Sequence, residues 1–202
     1  MKKIIQIFIF NFCITIMYGQ ESKVNYISTG AIKEIQRDYD GAMYDYNQAI
    51  AANPKNDTAY ISIGDLNKRL KKQVLAMASY NKAIEVNPKS IDGYFQRAIL
   101  KTELNDFRGA ISDYDKVLLL DTKNFEGYAQ RGMAKFKIKN MVGALSDYNL
   151  AIRINPKYAY AYGSRGFLKY ALGKLNEACL DFSKAGELGD EIAFDFIRKY
   201  CN

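Results

Sequence analysis

The chain has 202 residues, of which 49% are hydrophobic and 25% charged, with a formal net charge of +7. That composition supplies a sizeable core, and the low proline content, without any low-complexity tract, argues against a long disordered region. Histidine is absent, which excludes Ser-His-Asp and Cys-His nucleophile systems, His-ligated zinc and histidine acid–base shuttles. Basic and acidic residues are interleaved along the chain, as on a solvated mixed surface and unlike the concentrated basic stripe that binds nucleic acid.

The first element is Met1-Lys2-Lys3 followed by an apolar run from Ile4 to Met17, interrupted by Gln6, Asn11 and Thr15 and followed by Gly19. A short basic start, an apolar stretch and a small residue read as a secretory signal peptide over 1–19, cut after Gly19. The run falls short of the roughly 20 residues that a membrane span needs. The expected location is therefore the periplasm or the exterior, without stable membrane insertion after cleavage; an uncleaved N-terminal anchor is the alternative. Cys13 follows Phe10-Asn11-Phe12, which lacks the small residues of a lipoprotein cleavage site.

After residue 22 the sequence repeats with a period of 34. Tyr26, Tyr60, Tyr94, Tyr128 and Tyr162 form one ladder, and Ala42, Ala76, Ala110, Ala144 and Ala178 another. Gly30, Gly64, Ala98, Gly132 and Gly166 are all tiny, while Tyr46, Tyr80, Tyr114, Tyr148 and Phe182 are all aromatic. Ala49, Ala83, Val117, Ala151 and Ala185 are small and apolar, and Asn-Pro-Lys recurs around Pro54, Pro88 and Pro156 with a gap at Thr122.

Residues 57–70 and 74–87 show why. In the first, Tyr60, Ile63, Gly64, Asn67 and Leu70 share one helical face; in the second, Ala76, Tyr80, Ala83, Ile84 and Asn87 do the same. Lys71-Lys72-Gln73 is a short turn between antiparallel helices. Pro88 stops the second helix, because the residue before a proline disfavours helical geometry. Tiny Gly64 and Ala83 allow close helix approach, and Tyr60 and Tyr80 fill the flanking space. One such pair cannot bury its apolar face alone, whereas a stack of pairs can.

The series Tyr60, Gly64, Ala76, Tyr80, Ala83, Pro88 resembles the motif of the tetratricopeptide repeat (TPR) family, with Tyr in place of the family's initial Trp. The resemblance covers units 23–56, 57–90, 91–124, 125–158 and 159–192. It implies an all-α, right-handed α-solenoid of five helix-turn-helix repeats, of a secreted bacterial type. The first unit is the most degenerate, with Thr29 and Lys33 where large apolar residues are expected. Within the repeats, Arg97, Arg131 and Arg165 precede Asp113, Asp147 and Asp181 by 16 residues each. The second unit lacks both, having Ile63 and Ser79, while in the first Asp45 stands opposite Thr29. The joint variation predicts a ladder of Arg–carboxylate pairs inside the packed units, since a half-buried Arg needs such a partner.

Gly189 and Asp190 open a last segment, 190–201, in which Ile192, Ala193, Phe196, Ile197 and Tyr200 share a helical face. It reads as a capping helix over the last repeat's open side. Cys179 and Cys201 lie at similar heights in an antiparallel pair turning near Gly189. Two readings stand: a disulfide, which an oxidising compartment permits, or two buried free thiols.

The resemblance also implies that first helices line a concave groove for a partner segment. The matching positions give Phe95, Ile99, Met133, Phe136, Tyr160, Phe167 and Tyr170 as the groove residues; the other reading of the aromatics, of Phe167 and Tyr170 above all, is packing under the capping helix or between units. Ile61, Asp65, Asp92 and Gln96 stand where some family members carry a carboxylate clamp, so that clamp is absent. Aromatic residues with scattered acids suit an apolar protein or peptide segment with some basic character. The expected function is a protein–protein interaction scaffold, with a cell-wall or carbohydrate-binding protein as the alternative. No catalytic constellation, phosphate loop or metal cluster emerges, so neither enzyme activity nor a cofactor is expected.

Overall fold

The computed structural model describes residues 25–201; the signal-peptide reading of 1–19 lies outside them. They form eleven α-helices and, among the described residues, no strand. The chain divides into two compact units, one up to Pro54 and one from Lys55.

The first unit is a helix pair, α1 (Tyr26–Ile35) and α2 (Tyr39–Ala52). Helix α1 begins at Tyr26, where the Asn25 side chain accepts from Ser28 N–H and caps it; the expected start of the first unit at 23 lies outside the described residues. Ala42, Tyr46 and Ala49 are buried. The Tyr46 hydroxyl donates to Glu34 at 2.6 Å.

The second unit holds four pairs: α3 (Asp57–Arg69) with α4 (Gln73–Val86), α5 (Ile91–Glu103) with α6 (Phe107–Leu120), α7 (Phe125–Lys137) with α8 (Met141–Ile154), and α9 (Ala159–Ala171) with α10 (Leu175–Glu187). Close approach within a pair depends on the tiny position: a Cβ on Gly64 would stand 2.4 Å from the Tyr80 ring. Contact between pairs comes from Leu100, buried in one cluster with Tyr80 of the preceding pair. Leu168 joins Tyr148 in the same way. Each pair thus completes its neighbour's core.

The connections repeat as faithfully as the helices. Arg37, Lys71, Asn105, Lys139 and Gly173 all adopt positive φ, 34 residues apart. Each follows a first helix and closes a double hydrogen bond; Lys71 N–H reaches Lys68 O, and Lys72 N–H reaches Asn67 O at 2.8 Å. This is the Schellman closure, which satisfies carbonyls left open at a helix end. Between pairs, Asn87 and Asn155 are extended before their prolines. Asp121 keeps that geometry without a proline, and its side chain accepts from Lys123 N–H at 3.0 Å. Asn87 and Asn155 accept from Lys89 and Lys157 N–H in the same way, so the Asx turn is common to all three connections and holds the geometry where Thr122 replaces proline.

The last helix, α11 (Glu191–Tyr200), is capped by Asp190, which accepts from Ile192 N–H. Ala193 and Phe196 are buried against Ala178, Phe182 and Ala185 of α10, with Ile197 and Cys201 packed beside them. Glu191, Asp195, Arg198 and Lys199 are exposed. Phe196 stands 34 residues after Tyr162, so α11 occupies a first-helix register. Cys179 and Cys201 are joined by a disulfide, with a Cα–Cα distance of 5.7 Å.

Candidate functional site

The first helices α3, α5, α7 and α9 of the second unit lie side by side, and their shared face carries the candidate site. At its start, Asp65, Lys68, Arg69, Gln96 and Glu103 line a cavity of about 440 Å³. Lys68 Nζ donates to Gln96 at 3.2 Å, and the Tyr80 hydroxyl donates to Asp65 at 2.7 Å. Burial pushes the Tyr80 phenol well above the usual tyrosine range, and the Asp65 carboxylate that accepts its proton adds to the effect.

Further along, the face turns apolar. Phe95 sets its edge against Tyr114, with ring centroids 5.7 Å apart. Phe136 packs against the cluster of Ala144, Tyr148 and Leu168. Ile99 and Met133 are half-buried, while Asp92, Glu103 and Glu126 are exposed on the same helices. Tyr160 leans on Tyr158, centroids 5.8 Å apart. The buried hydroxyls of Thr102 and Tyr114 neighbour each other under this stretch.

Phe167 and Tyr170 end the face, and both are engaged by the capping helix. Phe167 meets Phe182 edge-on at 4.8 Å and Phe196 at 5.7 Å. Tyr170 meets Phe196 at 4.9 Å and Tyr200 at 5.4 Å. They remain 42% and 41% exposed. The two rings thus serve the cap on one side and face solvent on the other.

The polar ladder lies in the pair interiors. Arg131 Nε donates to Asp147 Oδ2 at 2.9 Å and Nη2 to Oδ1 at 2.7 Å, while Nη1 reaches Asp115 of the preceding pair at 2.6 Å. Arg97 grips Asp113 and Asn81 in the same way, and Arg165 grips Asp181 and Asn149. Each guanidinium also lies over the tyrosine three residues before it, 5.5–5.6 Å from the ring centroids of Tyr94, Tyr128 and Tyr162.

A second cation escaped the sequence reading. Lys101, Lys135 and Lys169 place Nζ within 2.7–2.9 Å of the same aspartates. The buried carboxylate is therefore held from two sides, as its desolvation requires. In the first unit Lys33 plays this part alone for Asp45, at 2.8 Å. Its hydrogen bond holds the Asp45 carboxyl below the usual range. The available signal was the spacing: Lys33, Lys101, Lys135 and Lys169 fall on the 34-residue step, and the gap is Asn67. The pair that lacks the arginine and the aspartate lacks the lysine too.

Among the described residues no group of three or more His, Cys, Asp or Glu could hold a metal, and no helix is long and apolar enough to cross a membrane.

Residues 57–90 match the family model of the tetratricopeptide repeat. That unit is a tetratricopeptide repeat. The matched TPR unit is the one with Ile63, Asn67 and Ser79 in place of the ionic set. Solved TPR structures share the fold, which is that of an all-α TPR solenoid. A crystal structure of YrrB, described as a TPR protein with an unusual peptide-binding site, superposes with a TM-score of 0.69 at 18% identity, covering 93% of this chain and 97% of YrrB. A crystal structure of MamA gives 0.71 at 24% identity over 81% of this chain and 96% of MamA. PilW, a type IV pilus biogenesis factor, gives 0.73 at 20% identity over 81% of this chain and 76% of PilW. No curated protein matches the chain.

Proposed function

We propose that this TPR protein is a non-enzymatic scaffold that holds a segment of a partner protein across the face formed by α3, α5, α7 and α9. The observation that carries the reading is the exposure of its aromatic end. Tyr160, Phe167 and Tyr170 are each more than a third exposed, on helices whose other large apolar side chains are packed. Aromatic residues left open on a rigid array supply contact area at little entropic cost. The acids Asp92, Glu103 and Glu126 on the same face favour a segment with basic as well as apolar residues. The TPR fold and the peptide-binding site of YrrB support a protein or peptide as the ligand class.

Export to the periplasm or the exterior is part of the proposal. It is supported by the signal-like N-terminus and by a disulfide in the folded chain.

The test is site-specific photocrosslinking in the cells that make the protein. Crosslinkers at Glu103 and Glu126 should capture one partner segment, and crosslinkers at the exposed Lys116 and Lys184 on second helices should not. The synthetic segment should then bind purified protein one to one, and Tyr160→Ala should weaken it about ten-fold, as loss of an aromatic anchor does. Equal capture from all four sites would sink the proposal, and glycan binding with no captured segment would favour the carbohydrate reading.

A further inference from the structure

We infer that α11 is a releasable plug, held in place by the Cys179–Cys201 disulfide, and that reduction of this bond uncovers an aromatic face on the last helix pair. The inference stands on the packing of α11, independently of what the first-helix face binds.

The plug sits where a sixth first helix would sit. Phe196 continues the tyrosine ladder, and its ring lies 4.0 Å from that of Phe182. With Tyr200 it also covers one side of Phe167 and Tyr170. Earlier first helices are each backed by a second helix of their own. Among the described residues α11 has none, and its buried side chains Ala193 and Phe196 pack on α10. Glu191, Asp195, Arg198 and Lys199 are exposed, as are Ile192 and Phe194 at 67% and 56%. A helix of 10 residues is marginal on its own in water, so its order comes from docking. The covalent link adds a second hold on it, by closing the segment of sequence separation 22 between the two cysteines.

The link is also reachable. A cavity of about 450 Å³ adjoins the disulfide, lined by Leu175, Asn176, Cys179, Leu180, Tyr200 and Cys201. A dithiol reductant entering there attacks one sulfur as a thiolate and forms a mixed disulfide with it; the other cysteine leaves as a thiolate and takes up a proton. The reductant's second thiol then displaces the first cysteine. The balance is two cysteine thiols gained and one dithiol oxidised to a disulfide. Without the link, α11 opens locally as a unit of low stability while the earlier pairs keep theirs. The occupant of the aromatic face in the oxidised protein is α11 itself. In the reduced protein Phe167, Tyr170 and Phe182 become open to apolar ligands.

Hydrogen exchange on the full chain tests this, comparing oxidised protein, protein reduced with dithiothreitol, and the variant Cys179→Ser/Cys201→Ser. Amides of 194–200 should exchange at least about ten-fold faster in the last two, with 57–154 within about two-fold, as local opening requires. Reoxidation should restore protection, and the apolar dye bis-ANS should bind the reduced form more strongly. Unchanged exchange in α11 would overturn the inference. So would acceleration spread evenly over α3–α8, which would make the bond a support of the whole array, or a bond that dithiothreitol reduces only in unfolded protein.

Discussion

Arg131 binds Asp147 in its own helix pair through two parallel hydrogen bonds and, with its remaining nitrogen, Asp115 in the pair before. One side chain thus ties the interior of a repeat to its neighbour. With Lys135 it also neutralises an aspartate that is almost fully buried.

The set should behave as one unit under mutation. Asp147→Ser leaves Lys135 without its carboxylate and Arg131 with Asp115 alone, and should cost about 3–5 kcal/mol, the range for a broken buried pair. Arg131→Ile alone should cost less, about 2–3 kcal/mol, because Lys135 still holds the carboxylate. The triple variant Arg131→Ile/Lys135→Asn/Asp147→Ser copies residues 63, 67 and 79 and should be more stable than Asp147→Ser alone. Urea unfolding of the variants checks the order, and strict additivity of the three changes would refute it.

The turns after the first helices offer a second test. Lys71 has φ +60° and Gly173 φ +76°. A side chain in that region costs about 1 kcal/mol relative to glycine, which pays part of it back in chain entropy. Lys71→Gly should therefore stabilise by about 0.5–1 kcal/mol, and Gly173→Ala should destabilise by a similar amount. Thermal unfolding measures both, and shifts of the same sign would contradict the account.

Alkaline stability follows from the aromatic ladder. Burial pushes the phenols of Tyr80, Tyr114 and Tyr148 well above the ordinary tyrosine range. In the unfolded chain they ionise near pH 10, so above that pH the unfolded state releases protons that the folded state retains. Their contribution to stability is complete below about pH 10 and declines as pH rises toward the folded values. Tyrosinate absorbance and helical circular dichroism, followed together, should show these rings ionising only as helix is lost. Full ionisation near pH 10 with the helices intact would rule this out.

Two members of that ladder should respond differently to loss of the hydroxyl. Tyr80 donates to the charged Asp65 carboxylate, whereas the buried Tyr114 hydroxyl has only the neutral Thr102 hydroxyl beside it. Tyr80→Phe should cost about 1–2 kcal/mol, and Tyr114→Phe less than about 0.5 kcal/mol. Equal losses at the two sites would count against the assignment.

These residues also show where the sequence could be read and where it could not. The 34-residue step exposes positions whose geometry is rigid: Gly64 under the Tyr80 ring, the Arg–Asp spacing, and the break at Asn87-Pro88. The lysine ladder was harder to see because Lys on a helix reads as a solvated residue, and only the folded pair shows Lys135 turned toward Asp147. Phe167 and Tyr170 could be placed on the first-helix face by register. Helical spacing also allowed them to pack under the capping helix, and the contacts with Phe196 and Tyr200 show that they do so on one side; which side stays open depends on how α11 returns over the last pair. The two cysteines had the right separation for a bond, but pairing depends on that same return.

The pair at 57–90 has an interior of Ile63, Asn67 and Ser79 where the three later pairs carry ion clusters. Buried pairs are screened little by salt, so the difference shows in substitutions: removing one partner in a later pair strands a buried charge, whereas the pair at 57–90 has none of these charges to strand. A uniform repeat of length 34 thus conceals an uneven tolerance of sequence change, in which one pair accepts what its neighbours do not.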